Sequence, residues 1–350
     1  MGIIIALLIF GIIITVHEFG HFAVAKLCKV KVLEFSVGMG PKLLQKQKGE
    51  TKYSLRLLPV GGFCQFEGED TASDDPRSYS KAPVWKRMLI LFAGAGMNFV
   101  LGFITLIIML SMFTSIPTTS VGGFYGEELS SGKILYYSES YHTGLRHDDV
   151  IKKIDGISIY TLLDIDFVQS TSKKQKHEIV VERGGEELVL SDVVFRDRRN
   201  GSVYDFGVEY IEKTPGSVVK ASGNFFRSMG HIVVISLKQL ITGKAETEDI
   251  QGPVGVVSTI SQTTKQSESA GDAFFQLVYL TSLITINLGI MNLLPIPGLD
   301  GCKLLFCIVE IFRGKPLKPE HEGYVTLAGV VILVGLMIFV TFNDIVRLFS

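Results

Sequence analysis

His17, Glu18 and His21 fall within one five-residue window, inside "GIIITVHEFGHFAVAK" (residues 11–26), a stretch otherwise almost wholly apolar. On a helix, residues four apart share a face. His17 and His21 can therefore aim both imidazoles at one ion, while Glu18 reaches water beside that ion without ligating it. Two histidines and a neighbouring carboxylate in HExxH order suit a zinc ion with a general base. The competing reading is a pair of buried, hydrogen-bonded histidines beside an unrelated Glu. Position weighs against it. A charged residue at the centre of a bilayer costs about 2.5–3.5 kcal/mol, so three ionisable groups in one apolar helix need partners, and a metal ion is such a partner.

A tetrahedral catalytic zinc takes three protein ligands and keeps one position open. "NLLPIPGLDG" (292–301) offers the third as Asp300, flanked by Gly298 and Gly301. Pro295 and Pro297 stop regular helix there, and irregular backbone at membrane depth is tolerated where it lines a cavity. Asp300 also suits the N-cap of a helix running through "CKLLFCIVEIF", and the two roles are compatible.

These groups must be held by membrane-spanning elements. The chain has 350 residues, 47% of them hydrophobic, a net charge of −1 and a mean hydropathy of +0.35. Four stretches reach the roughly 20 residues a bilayer core requires: about 2–26, 88–113, 273–294 and 324–342. The first lacks the basic start and small-residue cleavage site of a signal peptide, so it is read as retained. The connection 26–87 carries more Lys and Arg than acids, whereas 114–271 is the reverse. The positive-inside rule puts 26–87 in the cytoplasm and 114–271 outside. At 1.5 Å per residue, His21 lies about 30 Å from the outer end of its helix, toward the cytoplasmic side, where the third span also ends. Cys28, Cys64, Cys302 and Cys307 match no zinc-finger spacing and are expected to be small buried or membrane-facing thiols.

Between the first two spans, "TKYSLRLLPVGGFCQF" alternates apolar and polar residues and then turns at Gly61–Gly62, which predicts a β-hairpin dipping toward the membrane. Its free edge could pair with an extended substrate, or the hairpin could simply cap the catalytic helices. Leu58, Gly61 and Gly62 are the substrate-binding candidates there.

HEFGH and NLLPIPGLDG, with "EFSVGMGPKL" (34–43), "YSLRLLPVGGF" (53–63), "FAGAGMNF" (92–99) and "IQGPVGV" (250–256), give the chain a resemblance to the site-2 proteases, intramembrane zinc metalloproteases close to the bacterial regulators of sigma-factor signalling. It covers nearly the whole chain. The resemblance implies that His17, His21 and Asp300 are zinc ligands, Glu18 the catalytic base, and Asn292 a contact to the substrate backbone. Asn292's amide could donate to a developing oxyanion; a helix–helix hydrogen bond is the alternative. The family usually has Gly-Pro where Gly94 is followed by Ala95, which removes a kink from the second span. Some relatives carry two tandem PDZ modules, and this chain has room for one.

Residues 121–205 read as short strands and turns, with "GLRHDDVIKKIDG" (144–156) similar to a PDZ stretch except for Asp148 at a usual glycine. A size filter that excludes substrates with bulky outer domains is favoured over peptide binding. His142, His147 and His177 are expected at the solvated surface. "SVVKASGNFFRSMGHIVVISLKQLI" (217–241) predicts an interfacial amphipathic helix, as an anchor or a gate.

The expected fold is thus a polytopic α-helical membrane protein with about four transmembrane helices, a cytoplasmic-side membrane-associated β-hairpin and one extracytoplasmic α/β PDZ-like domain. Its parts are 1–120 (two spans, HExxH and hairpin), 121–205 (PDZ-like), 206–271 (connector) and 272–350 (two spans and the Asp300 motif). The expected function is zinc-dependent hydrolysis of peptide bonds within transmembrane segments of single-pass membrane proteins, such as trimmed anti-sigma factors or remnant signal peptides, in the cytoplasmic membrane. The expected partners are those substrates and the lipid bilayer, with no nucleic acid. A non-catalytic, membrane-anchored PDZ scaffold is the alternative; a zinc carrier would call for repeat symmetry between halves, and none is apparent.

Overall fold

A computed structural model describes residues 2–69, 73–128, 134–194, 204–243, 252–315, 317 and 319–349. In chain order the elements begin with α1 (Gly2–Leu27), β1 (Val32–Lys48), β2 (Thr51–Phe66) and α2 (Val84–Ser111). A middle group follows: β3 (Ser115–Phe124), β4 (Gly126–Glu128), β5 (Ile134–Tyr136), α3 (Glu139–His142), β6 (Val150–Ile154), β7 (Ile157–Ser158), α4 (Leu162–Thr171), β8 (His177–Arg183), β9 (Glu186–Val193) and β10 (Phe206–Glu212). The chain closes with α5 (Pro215–Ile241), α6 (Pro253–Gln266), α7 (Ala270–Leu293), α8 (Asp300–Arg313) and α9 (Pro319–Phe349). Contacts divide these into two compact units, Met1–Thr105 with Gln239–Ser350, and Leu106–Lys238.

In the first unit, α1, α2, α7 and residues Glu320–Val346 of α9 are long and apolar enough to cross a membrane. Helices α2 and α7 meet through small and hydroxylated residues. Gly102 lies against Ile286, Ser282 Oγ donates to Thr105 Oγ1 (2.8 Å), and Thr285 Oγ1 donates to the Asn98 carbonyl (3.2 Å). Such contacts suit helices in lipid, where close backbone approach and hydrogen bonds replace the hydrophobic drive. Ala95 is buried within a continuous α2, so the helix runs unbroken where the resemblance led to expect a kink in relatives.

The sheet between α1 and α2 is larger than the sequence suggests. Residues 34–37 of β1 pair with two parts of β2 at once: Phe35 faces Cys64 and Tyr53, and Val37 faces Gly62 and Leu55. Lys42 to Lys48 pair with Arg56 back to Thr51. Each strand bends, at Gly38 and Gly61, whose φ of +82° and +85° are open to glycine without strain. Four segments therefore lie side by side in the order 62–66, 32–37, 51–56 and 42–48. The expected turn at Gly61–Gly62 is one of two bends, and the tight turn joining the strands falls at Gly49–Glu50. The β1 segment escaped the sequence reading because Gly38, Gly40 and Pro41 interrupt its alternation. Within the sheet, Glu34 accepts from Ser54 Oγ (2.7 Å) and Arg56 Nη2 (2.9 Å), while Met39, Leu43, Leu44, Leu57 and Leu58 are exposed around the bends.

Asp344 of α9 caps α6: its carboxylate accepts from the N–H groups of Gly252 (3.1 Å) and Gly255 (2.7 Å). This accounts for both glycines of the "QGPVG" stretch, since a Cβ at either would meet that carboxylate; Ile250 and Gln251 of the longer motif lie outside the described residues.

The second unit holds a sheet in the order β10-β3-β6-β8-β9, with β7 paired to β6. Its core includes Val121, Leu145, Ile151, Ile154, Ile165, Ile179, Val181 and Phe206. Asp148 takes the left-handed conformation (φ +64°), so the turn keeps its shape with Asp in place of glycine. Helix α5 is amphipathic as expected and is tied to α4, because Ser228 Oγ donates to Asp164 Oδ2 (2.6 Å). His142 and His147 are exposed, but His177 is not: it is 3% exposed and its Nδ1 donates to Asp155 Oδ2 (2.9 Å). Its position at the start of a strand whose alternate residues face the core put it inside.

Candidate metal centre

Helix α1 delivers His17 and His21 to one face, both buried. Asp300 arrives from the start of α8. The chain leaves α7 through Leu294, Pro295 and Pro297, turns at Gly298 (φ +96°) and begins α8 at Asp300. The N-cap of α8 is Leu299, so Asp300 does not hold the capping position the sequence allowed; its carboxylate faces the histidines instead. Asp300 Oδ2 lies 3.1 Å from His17 Nε2 and 3.1 Å from His21 Nε2, and the two Nε2 atoms are 3.1 Å apart. Among the described residues this is the one group of three His, Cys, Asp or Glu side chains arranged to hold a metal ion.

The donor set fits zinc. His21 Nδ1 lies 2.7 Å from the Ile90 carbonyl, which can only accept, so that nitrogen carries the ring's proton and Nε2 presents a lone pair. A carboxylate oxygen and two imidazole nitrogens then converge in a buried space, and a positive charge is needed among them. Two imidazoles and a carboxylate are a known catalytic zinc set.

Helix α2 makes this convergence possible. Gly20 of α1 packs on the Ala93 carbonyl. A Cβ at Gly94 would fall onto the His21 ring and come within 2.7 Å of His17 Cε1. Asn98, fully buried, places its Nδ2 3.3 Å from His17 Nδ1. Ile90, Gly94 and Asn98 stand four residues apart, on one face of α2. None of these three is marked as functional by its residue type alone. The signal available was that spacing of a small and a polar residue in an apolar helix.

Glu18 lies beside the sheet. Its carboxylate accepts a hydrogen bond from the Cys64 backbone N–H, and a Cβ at Gly62 would stand 3.6 Å from its Cγ. The 62–66 segment is thus the sheet edge nearest the cluster. Gly61 and Gly62 are buried; Leu58 is exposed at the bend, and Asn292 is half-buried in the last turn of α7. Among the described residues no hydrogen bond joins Leu58 or Asn292 to the cluster.

The sequence profile described as Peptidase family M50 matches residues 5–336. The chain belongs to this family, the site-2 proteases. A Clostridium acetobutylicum protein named a zinc metalloprotease is 35% identical over 99% of this chain and 97% of its own length. A zinc metalloprotease of Nostoc is 30% identical over 99% and 97%. The regulator of sigma-W protease RasP of Bacillus subtilis is 27% identical over 99% of each chain. As an M50 peptidase the protein is a zinc metalloprotease, and among the described residues four helices are long and apolar enough for a multi-pass membrane protein. The scaffold reading is set aside by the family.

Proposed function

We propose that this site-2 protease cleaves peptide bonds within the membrane-spanning segments of single-pass proteins, holding zinc through His17, His21 and Asp300 and using Glu18 as general base. The observation that carries this reading is the convergence of His17 Nε2, His21 Nε2 and Asp300 Oδ2 among helices apolar enough to span a bilayer. Bound zinc supplies Lewis-acid chemistry, polarising the scissile carbonyl and acidifying water. Glu18 takes the proton from the attacking water on its carboxylate and returns it to the leaving amine. The Asn292 amide donates to the substrate backbone. A helical substrate has its peptide groups tied in intrahelical bonds, so it must be drawn out before cleavage. The 62–66 edge, with Gly61, Gly62 and Leu58 at its bend, pairs with the drawn-out stretch. An apolar groove of about 330 Å³, lined by Leu8, Ile12, Thr15, Val37, Arg56 and Pro59, lies between α1 and the sheet.

The charge distribution supports a cytoplasmic position for residues 26–87 and an outer one for the middle segment, with the PDZ-like part at 121–205, the connector at 206–271 and the two catalytic halves at 1–120 and 272–350. The middle module acts as a filter on substrate size. The name of the B. subtilis relative supports a role in sigma-factor regulation, with trimmed membrane-anchored regulators as substrates.

The test is a cleavage assay on a model single-pass substrate with purified full-length protein in detergent. Glu18→Gln keeps zinc and loses at least about 100-fold in rate, in line with general acid–base contributions of about 10²–10⁴. Cleavage at the native rate by Glu18→Gln overturns the assignment.

A further inference from the structure

Asp300 reaches the cluster at the start of a short rod, α8, that is held at two points. The first is Gly301, which packs so closely on the end of α7 that a Cβ would strike the Leu294 carbonyl. The second is Glu310, whose Oε1 accepts from Arg87 Nη2 of α2 at 2.6 Å, with only 12% of the Arg87 side chain and 13% of the Glu310 side chain exposed. Arg87 is itself aimed, since its Nε donates to the Ala82 carbonyl (3.2 Å) just before α2. Lys303 lies on the same face of α8, two turns earlier, and donates to Glu69 Oε1 (2.8 Å). That pair is more open to solvent, with 45% of the Lys303 side chain exposed, and it is screened accordingly. The other face of α8, with Leu305, Ile308 and Phe312, is exposed.

A side-chain end stands about 5–6 Å from a helix axis, so turning α8 by about 10° carries the Asp300 carboxylate about 1 Å. A working site tolerates about 0.5 Å. Gly301 pins one end of the rod but leaves its direction and rotation open. Glu310 lies about 15 Å further along the axis and about a quarter turn round from Asp300, where a tie resists both movements. The anchor for that tie is on the helix that already sets the histidines. Ile90, whose carbonyl faces His21 Nδ1, comes one turn after Arg87, and Gly94, which leaves room for both rings, comes two turns after it. We propose that Arg87 and Glu310 are positioning residues: their buried ion pair ties α8 to α2 and thereby sets where the Asp300 carboxylate stands against His17 and His21. One helix then gauges both halves of the donor set, although they come from opposite ends of the chain.

This rests on the reading that Asp300 ligates zinc, and the experiment keeps the two apart. Zinc affinity is measured by competition with chromogenic chelators on full-length protein in detergent. The double variant Arg87→Met/Glu310→Met replaces the pair by apolar side chains, an exchange that is often neutral or stabilising for a fold. It is expected to bind zinc about 10-fold more weakly, at the lower end of the range of about 10–100-fold for lost outer support. Its kcat on a model single-pass substrate should fall about 100-fold, as a misplacement of about 1 Å costs, with KM near native. Glu310→Gln keeps an acceptor and drops the charge, so its zinc affinity should fall between the native and double-variant values. Asp300→Ala is expected to lose more than either, and adding the double change to it should lose nothing further, because a pair that acts through Asp300 has nothing left to position. Native zinc affinity in both the double variant and Glu310→Gln overturns the proposal. So does a loss that repeats in full on the Asp300→Ala background, which would assign the pair to the fold at large. Full zinc binding by Asp300→Ala overturns the ligand reading itself, and the proposal with it.

Discussion

Two carboxylates, fully buried Asp149 in the sheet module and half-buried Asp300 in the helical unit, are handled in opposite ways. Asp149 in the sheet module is fully buried, yet its charge is met within the chain: it accepts from Arg183 Nε (2.6 Å) and Nη2 (2.8 Å) and from the Arg146 backbone N–H (2.9 Å). Asp300 in the helical unit faces two imidazoles, one of which turns a lone pair toward it. A buried ion left without a partner costs several kcal/mol. The module carries its own counter-charge and is complete as folded. The helical unit gathers a carboxylate and two nitrogens, and in the reading proposed above a zinc ion supplies the compensating charge. Under that reading the difference is one between a structural charge and a functional one.

The sharpest way to break the contrast is to remove each carboxylate's answer. Asp300→Ala should lower zinc affinity beyond the roughly 100-fold ceiling of an outer-shell change and abolish cleavage, read as zinc per chain after dialysis. Unchanged zinc content would return Asp300 to a role in starting α8. Arg183→Ala leaves Asp149 buried without its main partner. It should destabilise the module by about 3–5 kcal/mol, read by proteolytic susceptibility of the full chain, with zinc content intact. Loss of zinc in Arg183→Ala would mean that the two carboxylates are not independent. A finer test adds one methyl group and replaces no ligand. Gly94→Ala puts a carbon against both imidazole rings and should cut zinc affinity by about 10-fold or more, within the range of outer-shell changes. Gly96→Ala on the same helix meets nothing closer than 3.8 Å and should leave zinc binding as it is.

What could be read in advance follows the range of the interactions. HExxH is local: a four-residue spacing already puts two histidines on one face, so half of the site is visible in one short stretch. The four spans are legible because lipid demands long apolar runs. Asp300 was reachable only through the proline-broken stretch after the third span and the family resemblance, since nothing local to residue 300 points back to residue 17. The α2 cradle was hidden for a further reason. Ile90 contributes only a backbone carbonyl, Gly94 contributes only the absence of a side chain, and Asn98 alone is a polar residue of ordinary appearance. The sheet was half-read because its bends need glycines, which erase the alternation that marks a strand. His177 looks like a surface residue in the sequence because both its core-facing place on β8 and the Asp155 carboxylate that answers its ring come from pairing with another strand.

That last pair gives the smallest and most specific test of the module's self-sufficiency. Asp155 and Gly156 form the turn between β6 and β7, with φ of +50° and +80°, the signs a type I′ turn requires. Burial alone would raise the Asp155 carboxyl, but hydrogen bonds from His177 and the Glu178 N–H, with Lys174 nearby, outweigh it and hold the group below its ordinary value. A carboxyl lowered in the folded state stabilises the fold at pH values above its unfolded pKa of about 3.9. That contribution disappears as pH falls through the lower, folded value. Asp155→Asn keeps a residue suited to the turn and removes the charge. It should cost about 1 kcal/mol at neutral pH, and the gap to the native protein should close as pH drops below about 4. Hydrogen-exchange protection of the β6 and β8 amides in the full chain measures both. A gap that persists undiminished in acid would assign the cost to turn geometry, and the module would then owe that part of its stability to shape and not to charge.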